Sequence, residues 1–113
     1  WSNITRPVLV CTGAGDGKEK APRWRRVAYD RMPAGDKFRL WVNDTEFGHE
    51  NFGDGILEEC PSGAKCEAFI ALMRSTVFSF LDAYVQKFPL AINYIQSDNA
   101  ARALRGTGEW ARK

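Results

Sequence analysis

A chain of 113 residues is sized for one domain around one core. An apolar share of 44% and a charged share of 27% are ordinary for a globular protein, and a net charge of +2 is too small to suggest nucleic acid or a membrane surface as partner. No apolar run approaches the roughly 20 residues that span a bilayer, and "WSNITRP" lacks the charged start and apolar stretch of a signal peptide. The first residue is not Met, so we expect the chain to begin partway through something longer or to have been processed.

"RPVLVCTGAGDG" opens with Pro7 and an unbroken apolar run, Val8 to Cys11, which suits a parallel strand covered on both faces. Thr12, Gly13, Gly15 and Gly17 then form a turn with loose backbone constraints. A helix is expected over roughly 20–32. Pro22 falls in its first turn, Trp24, Val27, Ala28 and Met32 share one face, and Arg23, Arg25, Arg26 and Arg31 are mostly solvated. "MPAGDK" breaks the helix at Pro33 and Gly35. "KFRLWV" then sets Phe38, Leu40 and Val42 against Lys37, Arg39 and Trp41, the pattern of a strand wet on one face near a sheet edge. Strand, helix and strand with short links predict a parallel, right-handed βαβ unit.

A long loop, 43–62, precedes the longest helix, about 64–87. Its apolar stripe runs through Phe69, Leu72, Met73, Val77, Phe80, Leu81 and Tyr84, and Pro89 stops it. Shorter helices are expected around Ala91–Gln96 and Asn99–Arg105, the second capped by Ser97 or Asp98. Cys11 reads as a buried, inert thiol. Cys60 and Cys66 flank a turn-rich loop and would close into a disulfide in an oxidising compartment, which would favour a secreted or periplasmic location. Their spacing does not fit a zinc hook.

The chemistry concentrates at one sheet edge. The loops leaving two neighbouring parallel strands emerge together, and open α/β sheets place ligands and catalysis there. Asp16 follows the first strand and His49, the only histidine, follows the second. With strands about 5 Å apart, an Asp–His hydrogen bond is sterically reasonable. A carboxylate accepting from one ring nitrogen fixes the tautomer that leaves the other free to take a proton, which is half of a nucleophilic triad. Two plainer readings compete: a solvent-exposed or capping loop histidine, and a turn aspartate in "GAGDG". A third is a metal-binding loop built on Glu46, His49 and Asp54, with Glu50 nearby.

"ITRPVLVCTGAGDGKEKAP" followed by "MPAGDKFRLWVNDTEFGH" resembles the last two sheet strands of the α/β-hydrolase fold, in its dienelactone-hydrolase-like and esterase-like branch. In that family the penultimate strand leads to the triad acid and the final strand to the triad base. The resemblance therefore implies Asp16 as acid and His49 as base. "STVFSFLDAYVQKFPLAINYIQS" resembles the family's closing helix and tail. The implied fold class is α/β: residues 1–113 as a single partial domain, the C-terminal βαβ-plus-helices part of a hydrolase, with parallel strands flanked by helices. No G-x-S-x-G nucleophile elbow and no oxyanion-hole loop occur, and by chain order both would precede residue 1. The expected function is the acid- and base-bearing part of a carboxylic ester hydrolase, with a small-molecule ester as substrate and no metal or organic cofactor. The alternative is a non-catalytic α/β module that oligomerises or binds a partner chain. On either reading only "KFRLWV" offers a partner strand, so a complementary chain or a second copy is expected at the Pro7–Thr12 edge.

Overall fold

The computed structural model describes residues 1–16, 23–53, 60 and 63–113. Strand β1 (Val8–Gly13) leads through helix α1 (Arg23–Arg31) to strand β2 (Lys37–Val42). A short 3-10 turn, His49–Phe52, precedes helices α2 (Ala64–Tyr84), α3 (Pro89–Gln96) and α4 (Asp98–Ala103), and strand β3 (Gly108–Arg112) ends the chain. The result is a small α/β domain with a three-stranded mixed sheet in the order β1-β2-β3. β1 runs parallel to β2, with Val8 opposite Lys37 and Gly13 opposite Val42. β3 runs antiparallel to β2, with Phe38 opposite Arg112 and Val42 opposite Gly108.

Two expectations about the strands are corrected. β2 is not a strand with one wet face: all six of its residues are buried and it is the centre of the sheet. Phe38, Leu40 and Val42 face α2, α3 and α4, packing on Phe69, Met73, Leu104, Ala83 and Ile95. The alternate residues lie beneath α1. The Arg26 guanidinium sits 4.1 Å over the Trp41 ring, and Arg39 lies 5.1 Å over Tyr29 while pairing with Asp30 at 3.6 Å and Glu109 at 3.7 Å. Lys37 is fully buried and donates to the Gly35 carbonyl. Cations can be buried when carboxylates, carbonyls and ring faces meet them, so an apolar–basic alternation need not mean a wet face. β1, conversely, is less deeply buried than β2, although Leu9 and Cys11 pack on the core clusters and α1 contacts the strand from the other face. It is an outer strand, half-buried from Val8 to Cys11, and among the described residues no strand pairs with its outer edge.

β3 was not foreseen. Five residues with two apolar side chains, Trp110 and Ala111, fall below what a sequence pattern resolves. Its register is fixed by Trp110, which stacks on Phe38 with ring centroids 5.6 Å apart and donates its indole N–H to the Ile95 carbonyl at 3.2 Å.

The helices follow their expected positions with shifted ends, α3 starting two residues early at Pro89. α1 spans Arg23–Arg31; the expected start at 20 and Pro22 lie outside the described residues. On its inner side Tyr29 and Met32 are buried, whereas Trp24 is half exposed. α2 stops at Tyr84 rather than 87. Lys87 takes a left-handed φ of 59°, which ends helical backbone ahead of Pro89, the first residue of α3. Within α2's expected stripe, Phe69 and Met73 are buried, but Val77 and Leu81 lie on an exposed side together with Phe78. Ser97 caps α4 by accepting the Asn99 N–H at 3.2 Å. No helix among the described residues is long and apolar enough to cross a membrane.

Burial ranks these positions. Leu40→Ala, which removes a fully buried side chain from the central strand, should cost about 2–5 kcal/mol. Phe78→Ala, on the exposed side of α2, should change stability by less than about 1 kcal/mol. Urea denaturation of both variants tests this order, and equal losses would contradict it.

Candidate active site

Asp16 and His49 meet at the carboxyl end of the β1–β2 pair. The His49 ring nitrogen Nδ1 lies 3.0 Å from Asp16 Oδ1. The two loops can approach this closely because of Gly15. A Cβ on Gly15 would fall 2.5 Å from the Thr45 carbonyl oxygen and closer still to that of Phe47. The glycine read as a flexible turn residue is thus a contact surface: its missing side chain lets the loop after β1 lie directly against the loop after β2.

Asp16 is sunk into this junction, its side chain only 5% exposed. A carboxylate buried so deeply needs partners at each oxygen. Oδ2 accepts the Thr12 hydroxyl at 2.8 Å, and Oδ1 receives both His49 and the Arg25 Nη2, each at 3.0 Å. Arg25 Nε also donates to the Asp16 backbone carbonyl at 3.0 Å. Arg25 was expected in solvent and is instead part of the site.

His49 itself is the exposed member, with 67% of its side chain accessible. Its backbone position comes from its neighbours. Phe47 stacks on Phe69 at 4.0 Å, and Phe52 meets the same ring edge-on at 5.5 Å, so the turn is pinned to α2 on both sides of the histidine. Buried Asn51 accepts the Gly48 N–H at 2.8 Å and closes the turn. Ahead of the histidine, Lys65 of α2 pairs with Asp44 at 2.7 Å and Glu46 at 2.9 Å. The hydrogen bond from Lys65 holds the Asp44 carboxyl below its ordinary range.

A hollow of about 920 Å³ opens beside the pair, bordered by Val10, Thr12, Trp24, Val27, His49 and Glu50. It lies along the outer edge of β1, where Nε2 of His49 is the nitrogen left free by Asp16. Among the described residues no serine hydroxyl or thiol hydrogen-bonds the ring. Cys11, the free thiol bordering the hollow, is pushed up to about 12 by burial, and the Thr12 hydroxyl is committed to Asp16. Among the described residues, the Asp16–His49 pair thus has no hydroxyl or thiol free beside its ring.

Of the carboxylates grouped with His49 as a metal loop, Asp54 lies outside the described residues and Glu46 is ion-paired to Lys65. Among the described residues no three His, Cys, Asp or Glu side chains converge. Cys60 and Cys66 are joined by a disulfide at the start of α2, with Cα atoms 5.7 Å apart.

The signals missed in the sequence were of two kinds. Thr12 stands four residues from Asp16 and would have been found by asking what satisfies a buried carboxylate, and Gly15 by asking what lets two loops touch. Arg25 and Asn51 carry no local pattern that marks them out.

The chain matches no protein-family model, no curated protein and no solved structure.

Gly15→Ala should drive a methyl group into the Thr45 and Phe47 carbonyls, costing about 1–3 kcal/mol and parting the loops. The loss would be seen in thermal melts and in the His49 ring resonances, and a variant identical to wild type in both would contradict the close approach. Cysteine labelling makes a second check. With its thiol raised to about 12, Cys11 holds almost no thiolate at pH 8, so iodoacetamide should label it only after unfolding. Opening the Cys60–Cys66 loop, six residues in separation, should lower stability by about 2 kcal/mol in the Cys60→Ser, Cys66→Ser double variant.

Proposed function

We propose that this chain is the acid- and base-bearing part of a serine hydrolase of the α/β-hydrolase fold, acting on carboxylic esters, with the nucleophile supplied by polypeptide outside these 113 residues. The 3.0 Å contact between Asp16 and His49 at the carboxyl edge of two parallel strands carries this reading. The sequence resemblance of residues 4–22, 32–49 and 75–97 to the closing part of that fold supports it, with Asp16 and His49 on the positions of acid and base.

In the complete site, Asp16 accepts the Nδ1 proton of His49 and so presents Nε2 as the acceptor. Nε2 takes the proton of the serine hydroxyl as the oxygen attacks the ester carbonyl. The resulting imidazolium, held beside Asp16, returns the proton to the leaving alcohol. Water repeats the sequence on the acyl-enzyme. The hollow beside β1 is the space from which a serine would reach Nε2, and among the described residues the outer edge of β1 carries no partner strand. We assign that edge to the nucleophile-bearing part, with a second copy of the chain as the alternative occupant.

The test joins sequence and kinetics. A G-x-S-x-G segment between a strand and a helix is expected in the same gene, within about 200 residues ahead of residue 1, or in a neighbouring frame. The isolated chain should cleave activated esters no faster than free imidazole, because it lacks the nucleophile and the oxyanion donors. In the complete protein Asp16→Asn should lower kcat by about 10⁴-fold through the wrong tautomer, and His49→Ala by a similar amount. Saturable, His49-dependent turnover by the isolated chain would overturn the division of labour. Near-normal turnover of the complete protein without His49 would overturn the role of the pair.

A further inference from the structure

We infer that Arg25 is a positioning residue for the Asp16–His49 pair: it holds the carboxylate in the orientation that selects the Nδ1–H tautomer of His49. The inference rests on the proposed acid–base reading and adds to it a residue that neither the sequence pattern nor the implied triad assigns.

Of the three partners of Asp16, only Arg25 can fix it. His49 is two-thirds exposed, so its own ring is the least constrained group in the contact. Thr12 holds Oδ2 but leaves the carboxylate free to tilt about that one bond. Arg25 differs because it grips two atoms of the same residue. Its Nε donates to the Asp16 main-chain carbonyl and its Nη2 meets Oδ1, both at 3.0 Å. A planar guanidinium keeps these two donors at a fixed separation, so backbone and carboxylate are locked relative to one another. The fork is braced from behind, with the guanidinium carbon 5.2 Å from the Trp24 ring centre. Arg25 also brings a permanent positive charge to a buried carboxylate, so the charge there is met whether the exposed imidazole is protonated or neutral.

Sharing Oδ1 between Arg25 and His49 could be taken as competition. The geometry points to cooperation. A carboxylate oxygen has two lone-pair directions, and the two nitrogens approach it at equal distance without displacing the Thr12 bond on the other oxygen.

A histidine ring that is neutral and unconstrained carries its proton mainly on Nε2, so the tautomer reports on Asp16 directly. His49 is the only histidine in the chain, and two-bond ¹⁵N–¹H spectra of the ¹⁵N-labelled chain above about pH 8.5, where an ordinary imidazole is neutral, read it without assignment. The wild-type chain should show the Nδ1–H form as the major species. In Arg25→Gln it should become the minor one, with thermal melts recorded alongside to separate this from unfolding. Should Arg25→Gln fail to fold, Arg25→Lys keeps the charge, and because an ammonium cannot grip both atoms as a fork it should shift the tautomer the same way. A folded Arg25 variant with an unchanged or higher Nδ1–H fraction would overturn the role of Arg25 and leave the pair intact. A wild-type chain with Nε2–H as its major form would overturn the pairing itself.

Discussion

Burying β2 on both faces is the constraint on which the rest of the domain depends. Its sequence alternates apolar residues with Lys37, Arg39 and Trp41, and a central strand cannot leave either set in water. α1 must therefore bring ring faces and carboxylates to the cations, which it does with Tyr29 and Asp30, while Glu109 arrives from β3. The opposite face needs no such partners and is closed by α2, α3 and α4 through aromatic and aliphatic contacts. Guanidinium groups suit the first task because they are weakly hydrated and lie flat on rings, so Arg26 and Arg39 cost less to bury than ammonium groups would. Lys37 is the exception. It is met by one carbonyl, and its stem spends most of its length as apolar packing.

From that centre the site follows by geometry. β1 and β2 run parallel and in register from Val8–Lys37 to Gly13–Val42, so their outgoing loops leave at the same level. Gly15 lets those loops touch. Phe47 and Phe52, both packed on Phe69, then hold the histidine turn to α2 rather than letting it swing into solvent. An exposed side chain is in this way placed by buried neighbours. The same arrangement leaves the His49 ring open to solvent while Asp16 stays shielded from water.

The Asp16–His49 contact was legible because it needs only strand direction and loop length, both of which patterning supplies. The helix positions were legible for the same reason, since a 3.6-residue period survives small errors at the ends. The strand environments were not. Val8–Cys11 looks fully buried and Lys37–Val42 looks half wet, yet Val8–Cys11 is only partly buried and Lys37–Val42 is buried throughout. Sheet position depends on which strands come next, and here β3, five residues at the chain end, turns β2 from an edge into the centre. Arg25 escaped for a related reason. A basic residue on an amphipathic helix looks solvated unless the carboxylate that it meets, nine residues earlier and on another element, is already known to be buried.

The remaining oddity is where apolar surface is left. Trp24 on α1, and Val77, Phe78 and Leu81 on α2 with Val85 just past its end, are all substantially exposed, on helices covering opposite faces of the sheet. Scattered exposed apolar side chains need no explanation, but four within nine residues form a stripe. Among the described residues β1 adds an edge with no partner strand, and Trp24 borders the hollow along it. A layer added at that edge would extend sheet and helices together, because the open strand and the Trp24 surface share one side. A second copy joined only through the α2 stripe would leave β1 unpaired. Pairing at β1 would also bring the added chain beside the hollow that His49 borders, so one contact would satisfy the backbone of the edge and cover the Trp24 surface.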